Sequence, residues 1–228
     1  MASSSDIQRG DAIHPGDPVI VSRYTTPKRI NHWITATSLI LLALSGLALF
    51  HPSLFFLTGL FGGGQNTRWI HPWIGVVLFV SFYIFFFQLW RANIPRKVDF
   101  VWAAHAKDFL AGNEDKLPEL GKYNLGQKVV FWAMAALIVV SIVTGVIMWD
   151  QYFATATAIP TKRIAILIHS IAAVLMICVF IVHVYAAIWA RGTLRAMTRG
   201  TVTGGWAWKH HRKWLRDLAG HGRIDPAE

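Results

Sequence analysis

Four uninterrupted apolar stretches, about residues 31–50, 70–90, 129–149 and 164–190, punctuate the chain, and polar or basic segments separate them. Each is long enough for a helix to cross a hydrocarbon layer, which takes about 20 residues. The runs are continuous rather than alternating, unlike barrel strands. No acidic residue interrupts the middle of a run; Asp150 alone lies close to one. The pattern predicts an all-α fold, an integral membrane four-helix bundle. It divides the chain into a flexible N-terminal tail (1–22), a transmembrane domain (23–190) and a basic C-terminal extension (191–228), with no internal repeat. The first ten residues are polar and the first apolar run, which begins after residue 30, is too long for a signal-peptide core, so span 1 is expected to stay in the mature chain.

Composition agrees with that class: 54% of the 228 residues are hydrophobic and 15% charged, with 11 Trp and 14 Phe. Charge adds orientation. Of 22 Lys and Arg, only Arg68, Lys162 and Arg163 lie in the segments between spans 1 and 2 and between spans 3 and 4. The rest precede span 1, follow span 4, or fill the 91–128 connection. The positive-inside rule then predicts cytoplasmic termini and a cytoplasmic 91–128 connection, with 51–69 and 150–163 facing outward. The formal charge of +10 reads as a skirt for anionic membrane lipid, not as a nucleic-acid footprint. Cys178, the single cysteine, excludes an internal disulfide and a thiol-attached haem.

Ten histidines remain to be placed. His14, His105, His210, His211 and His221 fall in polar segments, and His51 at the end of span 1, all read as solvated or interfacial. The other four are matched in depth. His32 enters span 1 and His183 lies near the end of span 4, both toward the cytoplasmic side. His71 opens span 2 and His169 lies near the start of span 4, both toward the outside. His169 and His183 are fourteen residues apart, close to four helical turns and roughly 21 Å, so both leave one helix face. Ionisable groups inside a membrane are functional candidates by default. Two imidazoles at one depth on different helices are what a six-coordinate haem needs, which gives an inner pair, His32 and His183, and an outer pair, His71 and His169, as axial ligands to haem iron. Gly46, Gly75, Ala172 and Ala173 offer room for a flat macrocycle, or equally serve close helix packing.

The runs Arg29-Ile30-Asn31-His32-Trp33, Ile70-His71-Pro72-Trp73-Ile74-Gly75, Leu167-Ile168-His169-Ser170 and Ile181-Val182-His183-Val184-Tyr185 resemble the haem-ligand segments of the gamma, or cytochrome b, subunits of membrane-bound formate dehydrogenases. So does Gly121-Lys122-Tyr123-Asn124-Leu125-Gly126-Gln127-Lys128. The likeness runs in order from about residue 20 to 216, within a wider di-haem cytochrome b family. It implies two haem b groups in a multi-pass protein of a bacterial inner membrane. It implies partners as well: an iron–sulfur beta subunit and a molybdenum or tungsten pterin alpha subunit that oxidises formate. Electrons would pass from the outer to the inner haem and reduce a quinone, ubiquinone or menaquinone, on the cytoplasmic side. This chain would hold no formate site and no catalytic residue of that reaction.

The same resemblance implies a quinone pocket in which Asn124 donates its side-chain amide and Gly126 its backbone N–H, close to His183. Residue type alone reads Asn124 as a helix cap and Gly126 as a tight bend. The stretch Trp206-Ala207-Trp208-Lys209-His210-His211-Arg212-Lys213-Trp214 suggests an amphipathic segment at the lipid headgroups. Phe100, Trp102, Phe109 and Leu110 suggest a second, roofing the quinone pocket. Lys28, Arg29 and Arg91 read as propionate partners or as interfacial anchors. Two rival functions stay open: a cytochrome b subunit of another quinone-linked oxidoreductase, such as a nickel–iron hydrogenase, and a transporter or channel with a histidine relay.

Overall fold

The structure is a computed structural model and describes residues 6–105, 107–108 and 117–225. Phe109 and Leu110, and the extreme termini, lie outside the described residues. The chain divides into two compact units, Ile30–Phe87 with Trp132–Val182, and Met1–Arg29 with Gln88–Phe131 and His183–Glu228.

The first unit holds the four expected spans, formed by helices α1 (Thr26–Phe50), α2 (Gly64–Leu89), α4 (Leu125–Met148) and α5 (Ile159–Trp189). All four are long and apolar enough to cross a membrane. Leu, Ile, Val and Phe crowd every face, so side chains such as Val80, Ile84, Val139 and Ile166 stay exposed on the protein, the arrangement hydrocarbon favours. The few polar atoms are spent on registering neighbours. Asn31 donates to Ser81 O at 2.9 Å, Thr35 to Ser81 Oγ at 3.1 Å, and Tyr83 to Ala135 O at 3.0 Å. After α1, His51 caps a 3-10 helix, Pro52–Phe61, by accepting from Ser53 N at 3.2 Å.

The second unit is more than helix ends. Strands β1 (Ala12–His14), β2 (Ile20–Ser22) and β3 (Thr201–Thr203) form an antiparallel sheet in the order β1-β2-β3, with Ala12 opposite Ser22 and Ile20 opposite Thr203. Helix α3 (Lys97–Ala104) precedes α4, and α6 (Thr193–Thr198), α7 (Gly204–His210) and α8 (Arg212–Gly220) surround β3. Val21, Val202, Ala207, Trp214 and Leu218 are fully enclosed and form the core with Ala196 and Trp206. In α8, Trp214 and Leu218 are four residues apart and share one face. Gly200 joins α6 to β3 at φ 83°, where a Cβ would lie 2.6 Å from Tyr24 O, so only glycine suits that position.

Several sequence expectations change here. The all-α description holds for the spans, while the second unit carries a sheet. Residues 12–14 and 20–22, read as loose tail, are strands: β1 pairs with β2 and β2 with β3, where Val21 and Val202 bury together. The Trp206–Trp214 stretch does not lay its aromatics on lipid: Trp206 and Trp214 fill the core, and only Trp208 is exposed, with the Arg212 guanidinium 4.8 Å from its ring centre.

A buried charge network holds this unit. Lys122 is wholly enclosed; its ammonium donates to Asp11 Oδ1 and Oδ2 at 2.6 and 2.8 Å and to Arg23 O at 3.0 Å. Burial pushes that ammonium down to about 7, while Asp11 pulls it back up. The buried Arg23 guanidinium stacks 5.0 Å from Trp214 and 5.1 Å from Trp206 and donates to Lys122 O. Lys128 pairs with Asp99 at 2.6 Å. Such pairs do little net work when intact, yet removing one partner costs about 3–5 kcal/mol. Lys28 donates to Gln8 Oε1 and Arg29 to Met197 O and Thr198 O, so both serve the unit's own structure.

His211, expected to be solvated, is 1% exposed. Its Nδ1–H donates to Gly121 O at 2.7 Å, and its Nε2 faces Arg23 at 3.5 Å. Burial first, then Arg23, His210 and Lys122, hold the imidazole well below its usual range. It is therefore neutral when folded, whereas the unfolded chain protonates it below about pH 6.5. The unfolded state takes up the extra proton, so stability is lost as pH falls below about 6.5 and is unaffected by this group above it. We predict that His211→Asn, which keeps a donor for Gly121 O, flattens the decline in thermal stability between about pH 7.5 and 5.5. An unchanged pH dependence would contradict the assignment.

Candidate functional site

All four long helices meet at one level of the membrane unit. His71, on α2, and His169, on α5, face each other with ring centres 6.3 Å apart and planes inclined by 64°. His71 Nδ1 lies 2.7 Å from Ser45 Oγ on α1, and His169 Nδ1 lies 2.9 Å from Thr144 Oγ1 on α4. Both hydroxyls bond back into their own helix as well: Ser45 to Leu41 O at 2.8 Å, Thr144 to Val140 O at 2.6 Å. The residue after each hydroxyl is glycine. A Cβ on Gly46 would touch His71 Cε1 at 3.4 Å, and one on Gly145 would touch His169 Cε1 at 3.6 Å. The same hydroxyl–glycine pair thus seats one imidazole from α1 and the other from α4.

Gly46 was anticipated as clearance and lies against the imidazole. A Cβ on Gly75 would meet nothing within 4 Å, and Ala172 is buried. Ser45, Thr144 and Gly145 went unnoticed in the sequence. Their signal was there: a hydroxyl followed by glycine, Ser45-Gly46 and Thr144-Gly145, each in an otherwise apolar run. Beyond the pair, Trp73, Trp149 and Tyr152 pack edge to face, with centres 5.1 to 6.0 Å apart. The Trp149 indole N–H is buried and has no acceptor among the described residues.

Does this set fit a haem? Among the described residues there is no cluster of three or more His, Cys, Asp or Glu able to hold a bare metal ion. Two imidazoles alone suit an iron whose remaining ligands come from a macrocycle. With metal–nitrogen bonds of about 2 Å, imidazoles on opposite sides of one iron have ring centres about 6 Å apart. The observed 6.3 Å agrees, and the hydrogen bonds at both Nδ1 atoms are the usual support of metal-binding histidines.

The structure brings His71 and His169 together. The other pair is divided between the units. His32 stands in the membrane unit, its ring edge-on to Trp33 at 5.5 Å and tilted against Phe85 at 6.4 Å. His183 stands in the second unit, on the last two turns of α5, and is exposed on the protein.

Asn124 and Gly126 also lie in the second unit. Asn124 Oδ1 accepts from Gln127 N at 2.9 Å, and Gln127 Oε1 accepts from Asn124 N at 3.0 Å. This reciprocal box starts α4, so the helix-cap reading is realised. It uses only the carbonyl half of the Asn124 amide. Gly126 falls in the first turn of α4, where a backbone N–H has no partner within the helix. A shallow surface cleft with about 30 Å³ of open space lies beside Asn124, lined also by Trp102, Leu120, His210 and Arg212.

Residues 23–200 match the family described as prokaryotic cytochrome b561. The chain is 46% identical over 198 residues to the formate dehydrogenase cytochrome b556(fdo) subunit of Escherichia coli K12, covering 87% of this chain and 93% of that one. It is 41% identical over 197 residues to the formate dehydrogenase cytochrome b556 subunit of Haemophilus influenzae, covering 86% and 83%. Against the nitrate-inducible cytochrome b556(Fdn) subunit of Escherichia coli K12 the identity is 40% over 190 residues, covering 83% and 88%.

Proposed function

The chain belongs to the prokaryotic cytochrome b561 family, among the formate dehydrogenase cytochrome b subunits, and we propose that it anchors such a complex in the membrane and carries its electrons to quinone. The observation that carries this reading is the His71 and His169 pair, set at the spacing of two axial ligands by hydrogen bonds from two further helices. Identity of 40% to 46% across nearly the whole chain favours the formate branch over a hydrogenase cytochrome.

In this reading His71 and His169 would hold one haem b and His32 and His183 a second, and the buried Trp149 N–H would be a donor available to such a group. Haem bound at these sites supplies one-electron chemistry. The chain's own residues do the rest: imidazoles fix the iron positions, and the apolar spans keep water away from them. An iron–sulfur subunit, fed by a molybdenum or tungsten pterin subunit, delivers electrons at the outer pair, and both termini face the cytoplasm. The basic balance supports that orientation. Asn124, through its amide N–H, and Gly126, through its backbone N–H, orient a quinone oxygen near His183, where preorganised donors favour developing negative charge.

Haem content of the purified chain with its His variants tests the pairing. We expect two b haems in the wild type. Substituting His71 or His169 should remove one, and His32 or His183 the other; retention of both in His71→Ala would contradict the reading. The pocket is tested by Asn124→Asp. Aspartate caps a helix as well as asparagine does but replaces the amide donor with a carboxylate. We expect intact α4, both haems, normal formate-driven haem reduction and slowed quinone turnover, with a loss of about 1–3 kcal/mol. Unchanged turnover would leave Asn124 as a cap alone.

A further inference from the structure

We infer that Ser45 and Thr144 are positioning residues for the His71 and His169 site: each accepts the Nδ1–H of one imidazole and so fixes both the tautomer and the ring's direction. A hydroxyl has one proton to give. Ser45 gives its proton to Leu41 O at 2.8 Å, with Leu42 O at 3.3 Å as a second acceptor, and Thr144 gives its proton to Val140 O at 2.6 Å, with Ser141 O at 3.2 Å. Neither proton is left for a histidine. With the hydroxyl protons on those carbonyls, the contacts of 2.7 and 2.9 Å between the hydroxyls and the rings run from Nδ1–H to oxygen. That leaves Nε2 of each ring unprotonated, as a metal-binding imidazole requires.

The two anchors also separate the roles of the four helices. α2 and α5 carry the imidazoles, while α1 and α4 carry the acceptors, and Gly46 and Gly145 lie beside the rings, where an added Cβ would come to 3.4 and 3.6 Å from Cε1 of His71 and His169. Within a span no water competes for Nδ1–H, so Ser45 Oγ holds the His71 ring, and Thr144 Oγ1 holds the His169 ring together with the Ser141 backbone. An Nδ1–H that donates makes its imidazole a stronger electron donor and favours ferric over ferrous iron. Given the haem reading on which this rests, losing either hydroxyl should raise the potential of that one haem.

The test is a redox titration of the haem α band, with low-spin EPR, on the full chain in its membrane complex. Ser45→Ala removes one acceptor. Thr144→Val removes the other while keeping the shape of the side chain. We expect both to raise the potential of the same haem component, by up to about tenfold in the ferrous-to-ferric ratio, equal to about 59 mV for one electron. The hydroxyl-retaining variants Ser45→Thr and Thr144→Ser should stay near the wild type. If Ser45→Ala loses the haem outright, its retention in Ser45→Thr supports the same role. Loss in both, or an unchanged potential and EPR signal in Ser45→Ala and Thr144→Val, overturns it. His71→Ala, run in parallel, separates the two levels: if that variant keeps every haem component, the haem reading itself has failed.

Discussion

Hydrocarbon offers no hydrogen bonds, so a polar atom inside a span must be matched by the chain or by what the chain binds. Imidazole makes that demand twice, once at each nitrogen. In this molecule Ser45 and Thr144 answer it at Nδ1 of His71 and His169, and the rings stand 6.3 Å apart, a spacing that would suit one ligand between them. The remainder of the membrane unit follows from this arrangement. Two of the four helices present rings and two present acceptors, and Gly46 and Gly145 lie beside those rings.

Much of this was legible in the sequence. Spans could be counted because apolar runs of helix length have one reading in a membrane, and the His71 and His169 level could be counted because helical rise is regular. Ser45 and Thr144 were marked in the sequence only by the glycine that follows each. A mid-span hydroxyl ordinarily bonds back to its own helix, and the sequence does not reveal which ones also turn a lone pair toward a neighbour. The resemblance supplied Asn124 and Gly126, whereas residue type supplied the cap; the structure contains the cap, and the two roles use different halves of one amide.

The second unit shows the opposite failure. Its strands are three residues long, too short for alternation to be read, and β2 pairs with a segment more than 170 residues away in sequence. Trp206 and Trp214, set among Lys, His and Arg, suit either a lipid interface or a core in which cations stack on rings. The core wins because β2 and β3 present Val21 and Val202 to them, and because Arg23 finds both indoles and the Lys122 carbonyl at once. Asp11 balances part of this buried charge and ties the N-terminal segment to Trp214 by accepting from its Nε1 at 3.2 Å. Residues read as a lipid skirt thus partly serve as the interior of a small folded unit.

The central claim, that one iron is shared by His71 and His169, is tested most directly by locating iron in the purified complex through its anomalous X-ray scattering. The account predicts an iron peak between the two rings, within about 2 Å of both Nε2 atoms, with Nδ1 of each ring still on Ser45 and Thr144. Iron bound to only one of these rings, or a lipid or water between them in place of a metal, would contradict it.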